Sequence, residues 1–254
     1  IDNAIAANAK NIKIGIEMDT EGRKYVYFGD DGDGMDQSKL FTAMRYGAPE
    51  REDRQSLGKF GLGLKTASSS VCLCYTIISR QNINDKLAKL AWDLEHVQRE
   101  NKWEMIAEPV SREDETIYRE HCGDTGTLVI WSKCDRLLSK EYQQPGGAQE
   151  QKAINRSAER LIEHAGEIYY WFLDPSDERE RNISIEVNGN NVNAWNPFFP
   201  EKSEQVLSEA KQKLEIELES QEVHSATIKA YILPHGNDLN KSEKATAKIS
   251  NRRQ

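Results

Sequence analysis

The sequence predicts an α+β fold, a two-layer α/β sandwich in which helices cover a mostly antiparallel sheet, followed by a second α/β region. Asn11–Asp19 alternates isoleucine and methionine with polar side chains, and Lys24–Gly29 alternates tyrosines after a turn at Glu21-Gly22. Such alternation indicates two half-buried strands joined as a hairpin. Between Ile154 and Phe172, apolar residues recur at helical spacing, which predicts a long amphipathic helix.

The other elements of the first region follow from the same patterns and from capping residues. A helix is predicted over Asp36–Tyr46, with Asp36 or Ser38 as its N-cap. The small side chains after Gly63 predict a second helix, and Ser111–His121 predicts a short third one. Four more strands are predicted at Val71–Ser79, Lys86–Trp92, Lys102–Ala107 and Thr127–Trp131.

The domain boundary is predicted around Pro145-Gly146-Gly147, because this glutamine-rich stretch has the composition of a linker. The division is then a domain at residues 1–140, a linker at 141–152 and a second domain at 153–254. In the second domain, Asn188-Gly189 predicts a hairpin turn after a strand at Asn182–Val187. Further strands are predicted at Lys213–Leu218 and Thr227–Leu233.

Composition limits the classes of function. The 254 residues are 37% hydrophobic and 30% charged, with a net charge of −8. A surface that binds duplex nucleic acid is normally basic, so this sequence is not expected to be the main contact with nucleic acid, and any such contact is expected through regions outside it. The sequence contains no run of about 18 apolar residues, so it offers no candidate for a membrane span.

The four cysteines lack the spacing of zinc ligands, which favours reduced structural thiols in a cytoplasmic protein. They are Cys72, Cys74, Cys122 and Cys134. Cys72 and Cys74 are expected on one face of a strand.

The most informative stretch is the glycine-rich run Gly58–Lys65, which is followed by a predicted helix. Glycines let the backbone approach a ligand closely, and a helix N-terminus attracts anions, so the run predicts a phosphate cradle. The Walker pattern fails because one extra residue separates the last glycine from Lys65-Thr66. The dinucleotide fingerprint fails because Thr66 stands where a third glycine is needed and a charged loop precedes the run.

A second glycine-containing motif, Asp30-Asp31-Gly32-Asp33-Gly34, closes the second predicted strand. A calcium loop aligned on these acids would need an acidic residue at Gly29 and a glutamate at Leu40, so that interpretation fails at both ends.

Together, four motifs resemble the boxes of the GHKL (Bergerat-fold) ATPase family, which includes gyrase, heat-shock chaperones, histidine kinases and MutL. Residues 1–9 resemble its first box around Asn3, Asp30–Gly34 its DxGxG box, and Gly58–Lys65 its glycine box. Gly126-Thr127, entering a strand, resembles the fourth. The helix before the Asn188-Gly189 hairpin and the tryptophan-containing segment 195–199 resemble the junction to the transducer domain of the MORC-like and MutL-like branch.

The resemblance implies an ATP-binding site with Mg²⁺. It assigns Asn3 to the metal, Asp30 to the adenine amino group and Thr127 to a water shared with adenine. Backbone N–H groups of the glycine box and the Lys65 side chain are implied to bind the phosphates. The implied nucleotide-binding residues are Asn3, Ala7, Asp30, Gly32, Gly34, Gly58, Lys59, Phe60, Gly61, Leu62, Gly63, Lys65 and Thr127. Residues Ala48–Leu57 correspond to the family's lid over the nucleotide.

The resemblance also implies what the sequence itself does not contain. Matching the first box on Asn3 places the general-base glutamate two residues ahead of Ile1, so we expect the natural protein to be longer. The transducer-like domain and its phosphate-binding lysine are expected to continue beyond residue 254. The family also implies an ATP-dependent homodimer.

Four functions remain open at this stage. The first is an ATPase that acts as a nucleotide-driven conformational switch, MORC/MutL-like, in DNA transactions or phage defence. The second is a chaperone with the same ATPase. The third, a histidine kinase, is disfavoured by the glycine box and by the segment at 195–199. The fourth is a module that binds ATP without hydrolysing it.

Overall fold

The computed structural model describes residues 1–46, 63–177, 181–207, 213–217 and 223–248. The chain divides into two compact units, Ile1–Ala194 and Trp195–Gln254. This division differs from the boundary predicted at 141–152, which lies inside the first unit. The reason is that the long helix α6 (Ala148–Ile168) and the strand β6 (Ser184–Val187) complete the first unit's sheet domain, with β6 pairing in parallel with β1 (Asn11–Met18).

A seven-stranded sheet forms the centre of the first unit, in the order β4-β3-β5-β2-β1-β6-β7. Every pairing in it is antiparallel except that of β1 with β6. The predicted class, α+β with a mostly antiparallel sheet, is therefore confirmed. The remaining strands are β2 (Lys24–Asp30), β3 (Cys74–Arg80), β4 (Ala88–Asp93), β5 (Gly126–Ser132) and β7 (Asn190–Asn191).

Most helices of the first unit pack on one sheet face, where the larger apolar core includes Ile5, Leu40 and Ile154. The opposite face is covered by α5, whose Tyr118 and Cys122 pack with Ile78 and Leu128 in a separate cluster. The helices are α1 (Asp2–Ala6), α2 (Gln37–Met44), α3 (Gly63–Val71), α4 (Leu94–Glu100), α5 (Arg112–Cys122), α6 and α7 (Tyr170–Leu173).

Local signals explain where several elements begin. The Asp36 side chain accepts a hydrogen bond from the Lys39 N–H and so caps α2, as predicted. Ser111 and Asp114 form a reciprocal capping box at the start of α5. Asn188 and Gly189, both with positive φ, form the predicted hairpin turn between β6 and β7.

Three sequence predictions were wrong in detail. Lys102–Ala107 is not a strand, since only Ile106 makes an isolated bridge, to Ala91. The strand predicted from Val71 begins only at Cys74, because α3 extends through Val71. Cys72 therefore precedes the strand and does not alternate with Cys74 along it; all four cysteines are free thiols.

Among its described residues, the second unit contains short strands, one α-helix and a 3-10 helix at Gly236–Asp238. Phe199, Leu239 and Ala247 form a buried cluster in it. Of the strand predicted at 227–233, only Tyr231–Ile232 forms a new strand, since Thr227 is the last residue of the strand that begins at Val223. The strands and the α-helix described in the second unit are β8 (Glu204–Gln205), β9 (Lys213–Glu217), β10 (Val223–Thr227), β11 (Tyr231–Ile232) and α8 (Lys241–Thr246). No helix in the described ranges has both the length and the apolar character that a bilayer span needs.

Candidate functional site

A cleft of about 1020 Å³ lies where α1, α2 and the start of α3 meet the ends of β2 and β5. It brings together eight of the residues predicted for the nucleotide site, although they are spread over more than 120 positions of the chain. These are Asn3, Ala7, Asp30, Gly32, Gly34, Gly63, Lys65 and Thr127. The predicted residues Gly58, Lys59, Phe60, Gly61 and Leu62, and the predicted lid, lie outside the described residues.

Asp30 ends β2 and lies directly opposite Thr127 of β5 in the antiparallel register. Its Oδ1 accepts a hydrogen bond of 3.0 Å from the Gly32 N–H. Burial raises the pKa of Asp30 to about 6, even though hydrogen bonds from Gly32 and Thr127 favour the ionised form. A half-buried carboxylate in a cleft is suited to accept a hydrogen bond from one donor group of a ligand.

Ser79 was missed by sequence reasoning and organises this end of the sheet. Its buried hydroxyl donates to the Gly126 carbonyl (2.8 Å), accepts from the Met35 N–H (2.8 Å) and lies 2.9 Å from the Thr127 hydroxyl. The residue thereby fixes Thr127 and the loop after Gly34 relative to each other. The signal available in the sequence was a hydroxyl following two isoleucines in an apolar strand.

Three glycines allow the backbone segments around the cleft to approach closely. A Cβ on Gly32 would collide with the Ala7 carbonyl, and one on Gly34 with the Arg80 carbonyl. A Cβ on Gly126 would collide with the Asp30 carbonyl, and Gly34 and Gly126 also have φ values of +61° and +120°. Glycine permits the close approach at all three positions and the positive φ at Gly34 and Gly126. The fold of the site therefore requires glycine there.

The second and third aspartates of the DDGDG run hold the turn between α1 and β1. Asp31 accepts bonds from the backbone N–H groups of Lys10 (2.7 Å) and Asn11 (2.8 Å), and from the Asn11 amide (2.7 Å). Although burial opposes ionisation, these hydrogen bonds lower the pKa of Asp31. Asp33 accepts a bond of 2.7 Å from the Asn8 amide. The acidic run is therefore not a solvated turn: each aspartate has a different partner.

Lys65 borders the cleft but is 2% exposed. Its ammonium donates to the carbonyls of Ala43 (3.0 Å) and Arg45 (3.1 Å) at the end of α2, and lies 5.8 Å from the Tyr46 ring centroid. Burial lowers the pKa of Lys65. Among the described residues no carboxylate pairs with this ammonium, whose described partners are these two carbonyls and the Tyr46 ring. An anionic ligand in the cleft would supply the missing charge.

The protein's own metal donors at the cleft are few. Within the described ranges, no group of three or more histidine, cysteine or acidic side chains could hold a metal ion. Asn3 offers one amide oxygen at the cleft wall. This donor set fits Mg²⁺ that arrives with phosphates and keeps several of its waters, and does not fit a dedicated all-protein metal cage.

The Asp30 pKa gives a pH-dependent prediction. Ionised Asp30 is the form that accepts a hydrogen bond from a ligand amino group, so ligand affinity should be constant above pH 7 and fall as pH drops below about 6. The fall should approach tenfold per pH unit. The stability of the unliganded protein should change in the opposite direction. Because the pKa of Asp30 is raised in the folded state, the free energy of unfolding should increase as pH falls through 6. Titration calorimetry and thermal unfolding between pH 5 and pH 8 measure both; an affinity unchanged over this range contradicts the assignment.

The first part of the chain is similar to a family of ATPases. Residues 1–124 match the family model described as "Histidine kinase-, DNA gyrase B-, and HSP90-like ATPase". One similar solved structure is the Aquifex aeolicus MutL ATPase domain complexed with ADP, with 12% identity and a TM-score of 0.38, covering 75% of this chain and 57% of that one. Another is the ATPase and transducer domains of Balamuthia mandrillaris DNA topoisomerase II, with 15% identity and a TM-score of 0.41, covering 76% and 47%. The chain thus spans about half the length of these structures. No curated protein matches the sequence.

Proposed function

Because residues 1–124 belong to the histidine kinase-, DNA gyrase B- and HSP90-like (GHKL) ATPase family, we propose that this protein binds ATP in the cleft and hydrolyses it to drive a conformational switch. The observation that carries the proposal is the position of Asp30 beside Thr127 at the ends of two paired strands. Gly32 and Gly34 also border the cleft, and their lack of a Cβ lets the chain pass close to the carbonyls of Ala7 and Arg80.

In this proposal the adenine amino group donates to Asp30, and a water shared with Thr127 contacts the base. Ala7 lies beside the ligand, since its small side chain leaves room there. The phosphates lie towards the N-terminus of α3, where Gly63 is exposed and borders the cleft. Free N–H groups at a helix N-terminus favour phosphate. The backbone of Gly58, Lys59, Phe60, Gly61 and Leu62, which precedes this terminus, provides further N–H donors.

Asn3 is the protein's proposed ligand to Mg²⁺, and α1 orients it. When bound, the ion would neutralise charge on the phosphates during transfer. The chain's own contribution is to hold the Asn3 amide oxygen at the cleft wall, next to the turn that carries Ala7.

Lys65 supplies a cation for the β- or γ-phosphate. Its ammonium has three N–H groups, and two of them are bonded to the carbonyls of α2. We expect Lys65→Met to lower the affinity for ATP by about 10- to 100-fold, because charge-assisted bonds contribute about 1.5–3 kcal/mol, while the affinity for adenosine changes little. Calorimetry with both ligands measures the ratio. Lys152→Met, on an exposed position of α6, serves as the control; an equal loss for adenosine would contradict a phosphate contact.

The switch itself is proposed to be the pairing of two ATP-bound copies, as in a MORC/MutL-like ATPase, with release upon hydrolysis. Its output would be in DNA transactions or phage defence, with nucleic acid contacting regions outside this sequence. Light scattering with and without a non-hydrolysable ATP analogue tests the pairing. An unchanged mass with saturating analogue would remove the dimer from the proposal.

A module that binds ATP without hydrolysing it is the second candidate, and one observation favours it. The carboxylates that line the cleft among the described residues are Asp30, Asp31 and Asp33, and each already accepts a hydrogen bond from the protein. Asp31 uses both of its oxygens at the turn into β1, and Asp30 is assigned to the adenine. Among the described carboxylates of the cleft, this leaves only Asp33, which is bonded to Asn8, to orient a water for attack. Phosphate release measured under saturating ATP separates the candidates: turnover supports the ATPase, and binding without turnover supports the module.

A further inference from the structure

Two asparagine side chains connect the aspartates of the DDGDG loop to the segment at residues 181–184. Asn8 donates from Nδ2 to Asp33 (2.7 Å) and accepts at Oδ1 from Arg181 (2.6 Å). Asn11, the first residue of β1, does the same: its Nδ2 donates to Asp31 (2.7 Å) and its Oδ1 accepts from the Ser184 hydroxyl (2.8 Å). Both amides therefore point their donor towards the loop and their acceptor towards the segment 181–184, which leads into β6.

The chemistry of the partners fixes the orientation of Asn8. A guanidinium has only donors and a carboxylate has only acceptors, so the Oδ1 of Asn8 must face Arg181 and its Nδ2 must face Asp33. Arg181 makes a second bond, to the Ile5 carbonyl in the last turn of α1. Asn8 itself has φ of +60°, a strained conformation that asparagine tolerates better than most residues. The bonds to Asp33 and Arg181 therefore hold the turn at Asn8 in position.

The same helix is also held at its other end. Tyr169, which follows α6, donates to the Asp2 carboxylate at 2.6 Å. Asn3, between the two anchors, and Asn8 and Asp33 all border the cleft.

We propose that Arg181 is a positioning residue for the nucleotide site: by holding Asn8, it sets the distance between α1, which carries the metal ligand Asn3, and the Asp33 side of the glycine loop. The inference rests on the proposed function, since it concerns how that site holds Mg²⁺ and phosphates. Arg181 does not contact the nucleotide itself and acts through Asn8.

A double-mutant cycle tests this coupling. We expect Arg181→Met and Asn8→Gly, which keeps the positive φ of residue 8 accessible, each to lower the affinity for Mg²⁺-ATP by about tenfold. The loss in the double variant should be well below the product of the two losses, because both substitutions remove the Arg181–Asn8 bond. The Mg²⁺ concentration needed for half-maximal ATP binding should rise in the same variants. Adenosine affinity, which depends on the Asp30 end of the cleft, should stay within about twofold. Arg156→Met, on an exposed position of α6, is the matched control.

The outcomes separate this inference from the function beneath it. Independent, additive losses for Mg²⁺-ATP, or an equal loss for adenosine, would overturn the coupling while leaving ATP binding intact. A wild-type protein that binds neither Mg²⁺-ATP nor adenosine would refute the proposed function and the inference together. Arg181→Lys, which keeps a donor at the position, should recover part of the affinity. If Arg181→Met does not fold, Arg181→Gln takes its place in the double-mutant cycle.

Discussion

Asp30→Asn is expected to lower the affinity for ATP by at least about 100-fold, because it converts a charged acceptor into an amide that presents a donor on one side. In the folded protein, one carboxylate oxygen is already used by the Gly32 N–H. The remaining oxygen is the one available to the adenine amino group. An asparagine that keeps the bond to Gly32 places its NH₂ against that amino group, so that two donors meet. Titration calorimetry with ATP and with adenosine should show the loss for both ligands.

Asp36→Asn is the matched control for this substitution. Asp36 is an exposed aspartate that caps α2, and asparagine caps helices as well as aspartate does. We therefore expect this variant to keep wild-type stability and ATP affinity. If Asp30→Asn binds ATP as tightly as Asp36→Asn does, Asp30 does not contact the base.

Gly126→Ala is expected to destabilise the first unit by about 3 kcal/mol or more and to abolish ATP binding with it. Its φ of +120° is unfavourable for any residue with a Cβ, and the added carbon would meet the carbonyl oxygen of Asp30. The Gly126 carbonyl also accepts bonds from Ser79 and Tyr118, so its displacement would disturb three strands and α5. Urea unfolding and ATP titration measure the two effects.

Gly189→Ala separates crowding from backbone strain. Gly189 has φ of +77°, but nothing lies within 4 Å of a Cβ built there. Only the backbone cost of about 1–2 kcal/mol should remain, and ATP affinity should not change. If Gly126→Ala and Gly189→Ala lower the free energy of unfolding equally, the carbonyl of Asp30 does not restrict the residue at position 126.

Much of the sheet domain was predictable because local patterns agree with the tertiary structure. The alternation in Asn11–Asp19 matches β1, and the return strand ends at Asp30, as the structure shows. The order of the motifs also indicated that Asn3, Asp30 and Thr127 would converge, although only through the resemblance to a family. Periodicity alone does not bring distant segments together.

What could not be predicted depends on contacts between distant segments. Gly29 reads as an ordinary strand residue, yet a Cβ there would collide with His121 of α5, which packs on the second sheet face. Likewise, Lys65 was predicted only as a phosphate ligand, whereas its bonds to Ala43 and Arg45 require α2 to end beside α3. The assignment of Asn8 to both Asp33 and Arg181 joins positions 173 residues apart, for which the sequence contains no local signal.

Equilibrium binding of ATP and GTP to the wild-type protein tests the central claim most directly, because Asp30 is proposed to recognise the adenine amino group. The account predicts saturable binding of one ATP per chain, loss of that binding in Asp30→Asn, and much weaker binding of GTP, whose base presents a carbonyl where adenine presents its amino group. A protein that shows no binding at millimolar ATP, or that binds both nucleotides equally well, would contradict it.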